Sequence, residues 1–347
     1  MLILLAIVPF TPRLDDYTML MTFIAINTMV TVGLCLLMGY TGQVSLGQTA
    51  FYGIGAYVSA ILSKTYGVDP WLGMLIAAAA TGVFAYVIGF PIFRLRGNYL
   101  AMATLGLVLV VYILFRELGE YTGGPDGMAG IPYLSIGGLA FKSRLAKYFL
   151  VWFFCLAILL VSQNIIRSRT GRALRAIHGS EPAAESVGID LSRYKIKIFV
   201  LSAVYASIAG SLFVHTLRSV NPQPFGFMAS VMIVTMAVVG GLASIWGALF
   251  GTAVVRILSN EVLLRFGGLD IIIYGLILMV VMILVPQGLF VGLRLERAQW
   301  LDVVAVHALD AEAEATALRV DLDDLDLELA PDHFGEVLRV AFLTFAV

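Results

Sequence analysis

A run of ten residues, GYTGQVSLGQ at 39–48, brings three glycines and five hydrogen-bonding side chains into one of the longest uncharged stretches of the chain. Where a helix breaks inside a membrane, free backbone groups and the N-terminus of the next helix can hold the carboxylate of a small solute. Side chains on the apolar segment 98–116 could line the same path. An equally supported interpretation is that these groups satisfy the backbone at a kink and serve helix packing. The candidate pathway residues are Thr41, Gln43, Ser45, Gln48, Tyr99 and Thr104.

A second candidate is the polar stretch 171–188, GRALRAIHGSEPAAESVG. Arg172 and Arg175 are spaced so that a short helix would present a basic face of small residues. Pro182 suits the first turn of a second helix, because its missing N–H is not needed there. The spans hold almost no ionisable residue for an ion-driven mechanism, so this segment could receive energy from a partner protein. The alternative is an ordinary basic loop at the inner leaflet of a membrane.

The sequence lacks the signatures of enzymes and metal proteins. It contains no G-x-x-x-x-G-K-[ST], H-E-x-x-H or C-x-x-C pattern. Cys35 and Cys155 both lie in apolar runs, without metal or redox spacing. We therefore expect no catalytic residue, no bound metal, no cofactor held by this chain and no nucleic-acid partner.

Composition indicates the elements that must position these residues. The 347 residues are 60% hydrophobic and 13% charged, whereas soluble domains carry about 25% charged residues. Seven uncharged runs approach or exceed the roughly 20 residues that a spanning helix needs. The sequence therefore predicts an all-α polytopic membrane protein with about ten transmembrane segments, some of them broken or re-entrant. The runs are 17–63, 70–93, 97–115, 148–166, 198–217, 219–255 and 271–293.

Two of these runs are too long for one crossing. As a single helix, 17–63 would be about 70 Å long, roughly twice a bilayer core, so it must fold back once, and the glycines of 39–48 suit that turn. The run 219–255 would be about 55 Å long and contains Gly240-Gly241, which predicts a second hairpin or re-entrant pair. The apolar residues 1–10 are interpreted as the end of a further helix.

Basic residues predict the orientation, since they favour the cytoplasmic side. Eleven Lys and Arg residues fall on one predicted face and eight on the other. The larger set places 167–197 and the C-terminus in the cytoplasm. The group Lys142, Arg144 and Lys147 counts against this orientation, because it falls on the opposite face.

Charge also divides the chain into two regions. Residues 1–297 hold 20 Lys and Arg and 12 Asp and Glu, whereas 298–347 hold 2 and 11. The sequence thus predicts a transmembrane domain at 1–297, with the segment 167–197 on its cytoplasmic face, and an acidic cytoplasmic tail at 298–347. The tail is either a solvated extension, which we favour, or a docking appendage.

Several segments resemble one family of membrane proteins, in that family's order, over about residues 20–295. The segment 171–189 is similar to the cytoplasmic coupling helix of ABC importer permeases, with His178 departing from the usual Arg. The decad at 39–48, with its continuation to 57, is the most specific match to the LivM-type permease subunits of the branched-chain amino acid ABC importer family. The other similar blocks are GNYLAMATLGLVLVVYILFRE at 97–117, TGGPDGMAGIP at 122–132 and GGLASIWGALFG at 240–251.

The resemblance implies a multi-pass importer subunit in the bacterial inner membrane that is not itself an enzyme. Its partners would be a LivH-type second permease, two ABC ATPase subunits that bind ATP, a periplasmic substrate-binding protein and the lipid bilayer. The substrate would be branched-chain or related amino acids. Residues implied to couple to the ATPases are Gly171, Arg172, Arg175, Ala176, Glu181, Ala184, Glu185 and Gly188. Those expected to dock the binding protein are Gly123, Gly124, Pro125 and Asp126.

Two alternatives stay open at this point. The same machine could carry urea, short amides or aromatic acids, because the sequence does not identify the substrate contacts. A chain that transports or conducts alone, as a secondary transporter or channel, is the less favoured alternative. It predicts uptake that responds to ion gradients and needs no ATPase partner.

Overall fold

The computed structural model describes residues 15–95, 97–136 and 139–259, and most of these are helical. The last predicted run 271–293, the tail 298–347 and residues 1–10 lie outside the described residues. The helices are α1 (Asp15–Thr41), α2 (Gln48–Lys64), α3 (Pro70–Ile92), α4 (Asn98–Glu117), α5 (Gly119–Thr122), α6 (Arg144–Arg167), α7 (Arg169–Gly179), α8 (Glu181–Ser186), α9 (Leu191–Leu217), α10 (Phe227–Gly240) and α11 (Ile245–Leu258). Short 3₁₀ turns cover Gly124–Asp126 and Gln223–Phe225, and the strands are β1 (Met128–Ala129), β2 (Ser135–Ile136), β3 (Leu139–Ala140) and β4 (Ser219–Val220).

Within this described part, five helices are long and apolar enough to cross a membrane: α1 from Tyr17, α3, α4, α6 and α9. The helix α2 has 17 residues, and α10 and α11 have 14 each. The predicted helical membrane architecture is thereby confirmed for these ranges. The total of about ten segments stays a prediction, because the last part of the chain is not described.

The helix α9 lies at the centre of the bundle, with α1, α2 and α3 packed on it. Along α1, Gly33 lies against Ser202 of α9, and the Phe23 ring contacts the Phe213 ring with centroids 6.1 Å apart. The numbering falls along one helix as it rises along the other. The helix α1 is therefore antiparallel to α9.

The helix α2 runs in the opposite sense, parallel to α9. At its start, Gln48 Nε2 donates to Ser202 Oγ over 2.6 Å. Near its end, Ser59 Oγ lies 2.9 Å from His215 Nε2. The predicted single fold-back of the first long run is confirmed, with the turn at 42–47.

The ends of the bundle can be named from the helix α6. It runs antiparallel to α9, because Lys147 Nζ donates to the Thr216 carbonyl (3.0 Å) and Ser162 Oγ donates to the Tyr205 hydroxyl (3.2 Å). It ends directly before α7 and α8, which therefore lie at the N-terminal end of α9. We call this the inner end, following the cytoplasmic prediction for 167–197, and the other the outer end.

The second long run forms a hairpin of α10 and α11 that turns at Gly241. With 14 residues, α10 is about 21 Å long, shorter than a bilayer core of about 30 Å. The chain before it re-enters the bundle, since Phe225 is buried against the rings of Tyr52 and Phe213. The predicted hairpin or re-entrant pair is thus confirmed.

Candidate coupling site and substrate pathway

The break at 42–47 begins with a glycine cap. Gly42 has φ +69°, a conformation that favours glycine. Its N–H donates to the Met38 carbonyl over 3.2 Å, as in the αL motif that ends many helices. Thr41 also closes the last turn, with its Oγ1 donating to the Leu37 carbonyl over 2.5 Å. This turn directs the chain towards α7 and α8.

Three elements of the inner end meet at one carboxylate. Glu181 Oε1, at the start of α8, accepts from Gln43 Nε2 over 3.2 Å and from Lys195 Nζ over 2.7 Å. The Lys195 side chain is 8% exposed and that of Glu181 is 32% exposed, so the cation is the more buried partner. The break, α8 and α9 are therefore tied together by a partly buried ion pair and a hydrogen bond.

The predicted pair of short helices at 171–188 is confirmed. Ser168 and Ser180 cap α7 and α8, accepting from the N–H groups of Thr170 (3.2 Å) and Ala183 (3.4 Å). Pro182 lies in the first turn of α8. Two helices of 11 and 6 residues thus cross the inner end.

Apart from Glu181, the predicted coupling residues divide into a buried set and an exposed set. Gly171 and Ala184 are buried, and a methyl group on Gly171 would overlap the backbone of Ile166. Together with the buried Leu174 and Ile177 they hold α7 and α8 against the bundle. The exposed set is available to a partner at the inner end: Arg172, Arg175, Ala176, Glu185 and Gly188.

The structure brings five of the six predicted pathway residues together, all of them buried: Thr41, Gln43, Ser45, Gln48 and Thr104. Leu46 N–H donates to Thr104 Oγ1 over 3.0 Å, which joins the break to α4. Tyr99 stands apart and is 72% exposed.

The two ends of the break lie at different depths, although the sequence predicted these groups together at mid-membrane. Gln43 meets α8 at the inner end, whereas Gln48 meets Ser202. Ser202 is eleven residues into α9, or about 17 Å along it. The break therefore leads from the coupling segment towards the bundle interior. Gln48 Oε1 is buried there without a hydrogen-bond partner among the described residues.

The second glycine-rich turn meets the first at the inner end. The Tyr40 hydroxyl donates to the Ala243 carbonyl over 2.6 Å. Gly39 lies so close to the Leu242 carbonyl that a side chain there would overlap it. The tip of the α10–α11 hairpin is therefore held by the last turn of α1.

The predicted docking residues lie at the outer end, in the turn after α5. Pro125 and Asp126 are exposed, whereas Gly124 is buried. Gly123 and Gly124 both have positive φ, of +76° and +63°. The turn is therefore exposed and has a backbone conformation that requires glycine, and its role in docking stays a prediction.

Two polar partners were missed by the sequence reasoning. The sequence predicts Lys195 only as one of the basic residues of the cytoplasmic face, and it predicts no role for Ser202. The signal for Lys195 was its position in the second turn of an apolar helix, where a buried cation needs an acid close by. No such signal identifies Ser202, because serine is common in packed membrane helices.

Comparison with known proteins places these features in one family. Residues 17–286 match the family described as branched-chain amino acid transport system, permease component. The LivM permease of Salmonella typhimurium is 32% identical over 79% of this chain and 69% of its own length, and that of Escherichia coli is 32% identical over 77% and 68%. The LivH permease of Escherichia coli is 28% identical over 75% of this chain and 90% of its own length. The chain belongs to the family of permease components of branched-chain amino acid transport systems, and it is a transporter subunit rather than an enzyme.

Proposed function

We propose that the chain is the membrane-spanning permease subunit of an ATP-driven ABC importer in the bacterial inner membrane. It would move branched-chain or related amino acids that a periplasmic binding protein delivers. Two partner ATPases would bind and hydrolyse the ATP. The observation that supports this most directly is the junction of Gln43, Glu181 and Lys195, because it joins an exposed two-helix segment to the broken helix pair.

In this proposal, α7 and α8 receive the movement of the ATPases on their exposed face. A displacement of α8 acts on Glu181, which is bonded both to the break and to α9. The C-terminal end of α1 and the N-terminal end of α9 then move with α8. Closure of the ATPase dimer would thus favour one of two packings of the spans, as alternating access requires.

The substrate path in this proposal follows the break between Gln43, at the inner end, and Gln48, in the interior of the bundle. Gln48 Oε1, which has no partner in the described part of the chain, could accept a hydrogen bond from a substrate ammonium group, and the N-terminus of α2 suits a carboxylate. Thr49 of α2 is hydrogen-bonded to Ser230 of α10. A shift of the short helix α10 would therefore alter the packing beside Gln48.

The remaining partners follow from the exposed surfaces. The span α4 is the least buried of the five, since only 28% of its apolar stretch is buried in the bundle. It can therefore face lipid or a LivH-type second permease. The outer turn with Pro125 and Asp126 would receive the binding protein.

Reconstitution tests the proposal. The chain is placed in proteoliposomes alone, or with a second permease, the two ATPases and the binding protein, and uptake of labelled leucine is measured. We expect uptake only with the full set, with ATP and with the binding protein. Uptake by the chain alone, driven by an ion gradient, would refute the importer assignment.

A binding assay separates the substrate alternatives. The purified binding protein is titrated with branched-chain amino acids, urea, short amides and aromatic acids. We expect the tightest binding for a branched-chain amino acid. Preference for urea or an aromatic acid would keep the importer and change its substrate.

A further inference from the structure

A cavity of about 110 Å³ lies at the outer end of the bundle. About 15 Å³ of such volume holds one water molecule, so this cavity has room for a phosphate group. The start of α1, the start of α6 and the end of α9 enclose it. Its lining consists of Thr18, Met19, Thr22, Phe23, Arg144, Lys147 and Thr216.

The cavity concentrates positive charge. Arg144 and Lys147 are among the basic residues that run against the predicted orientation, and they lie at the end opposite to α7 and α8. Among the side chains that the structure describes, ion pairs join Arg193 to Asp190 and Lys195 to Glu181, and neither Arg144 nor Lys147 has a carboxylate partner. Both lie in the first turn of α6, where the helix dipole is also positive. A bound anion would stabilise this arrangement.

The geometry of Lys147 keeps its ammonium group at the cavity. One N–H donates to the Thr216 carbonyl over 3.0 Å, and Nζ lies 4.8 Å from the centre of the Tyr133 ring. The Arg218 guanidinium lies 4.5 Å from the centre of the same ring. An ammonium group has three donors, so others stay available to a ligand.

Membrane depth and apolar lining identify the source of the anion. The spans begin at Tyr17 and Arg144, so the cavity lies where headgroups meet water. Met19 lines it and is 44% exposed. Free phosphate would gain nothing from this apolar side chain, whereas an acyl chain would pack on it.

We propose that this cavity binds an anionic phospholipid of the outer leaflet, with its phosphate between Arg144 and Lys147 and its acyl chain along Met19. The site is separate from the coupling junction and does not depend on which substrate the chain carries. It explains why basic residues occur at the end of the bundle that the charge rule leaves poor in them.

Native mass spectrometry of the purified full chain tests this, by comparing the retention of phosphatidylglycerol and phosphatidylcholine. Lipid attraction of about fivefold for each nearby cation predicts a preference of roughly 25-fold for the anionic lipid. The double variant Arg144→Gln/Lys147→Gln should reduce that preference to about twofold or less. A charge-matched control, Lys64→Gln/Lys142→Gln, removes two exposed cations of the outer end that do not line the cavity and should keep it.

Three results would overturn the proposal: equal retention of both lipids by the unaltered chain, an unchanged preference in the double variant, or displacement of phosphatidylglycerol by millimolar inorganic phosphate. A second measurement covers a double variant that fails to fold. The photo-crosslinker p-benzoylphenylalanine replaces Met19 in an otherwise unaltered chain within vesicles of both lipids. Crosslinks to phosphatidylglycerol support the site, and crosslinks only to protein or phosphatidylcholine contradict it.

Discussion

Replacing either partner of the pair Glu181–Lys195 should destabilise the chain, but by unequal amounts. Glu181→Gln keeps the shape and leaves the cation of Lys195 in a site where its side chain is only 8% exposed. Lys195→Met leaves a carboxylate that is 32% exposed and can be hydrated. We therefore expect Glu181→Gln to cost more than Lys195→Met.

The size of the effect follows from the burial of the two groups. Exposed ion pairs contribute about 0.2–1 kcal/mol, and loss of one partner of a fully buried pair costs about 3–5 kcal/mol. With one partner buried and the other partly exposed, the coupling energy should be about 2 kcal/mol, between these limits. That value corresponds to a change of roughly 30-fold in an equilibrium constant.

A double-mutant cycle measures this energy, with the free energy of unfolding determined in mixed detergent micelles for both single variants and the double variant. The control cycle uses Arg193 and Asp190, a neighbouring pair at 3.7 Å whose side chains are 70% and 55% exposed, and should give less than about 0.5 kcal/mol. Additive effects at Glu181 and Lys195, or an equal coupling in both cycles, would refute the reasoning. In reconstituted importers Glu181→Gln should also lower uptake while the ATPases stay bound.

Further predictions concern close packing, the exposed coupling face and the tail. Gly55→Ala should destabilise the chain by about 1–3 kcal/mol, since its methyl group would overlap the Ser207 backbone. Gly106→Ala should stabilise the chain by up to about 1 kcal/mol, because its methyl group would meet no neighbour within 4 Å among the described residues. Thermal unfolding of both variants checks the opposite signs. Glu185→Arg, at an exposed position of α8, should leave the fold intact and abolish co-purification of the ATPases, and retained assembly and uptake would count against the coupling role. Deletion of 300–347 should leave uptake largely unchanged, and complete loss would contradict a solvated tail.

The breaks in the long apolar runs were predictable from the sequence because length is a hard constraint. A helix of 47 residues is about twice as long as the bilayer core is thick, so the run 17–63 had to turn, and its glycines mark the place. The same arithmetic located the turn near Gly241. Pro182 also indicated the start of α8, since proline suits the first turn of a helix.

The grouping of side chains was less predictable, because it depends on partners far away in the chain. Tyr99 and Thr104 are five residues apart on one helix, which places them about 140° apart around its axis. Helical periodicity could have separated the exposed Tyr99 from the buried Thr104. The contact of Glu181 with Gln43 spans 138 residues, and no local signal predicts it.

The decad at 39–48 is a junction between three elements of the bundle. Its first turn is bonded to the hairpin tip through Tyr40 and Ala243, its centre to α8 through Gln43, and its end to α9 through Gln48. A regular helix would keep the three side chains within about 12 Å along one axis, whereas at this decad the chain reverses its direction between α1 and α2. The glycines therefore serve connection as well as turning, because one short segment contacts the hairpin tip, α8 and the interior of the bundle.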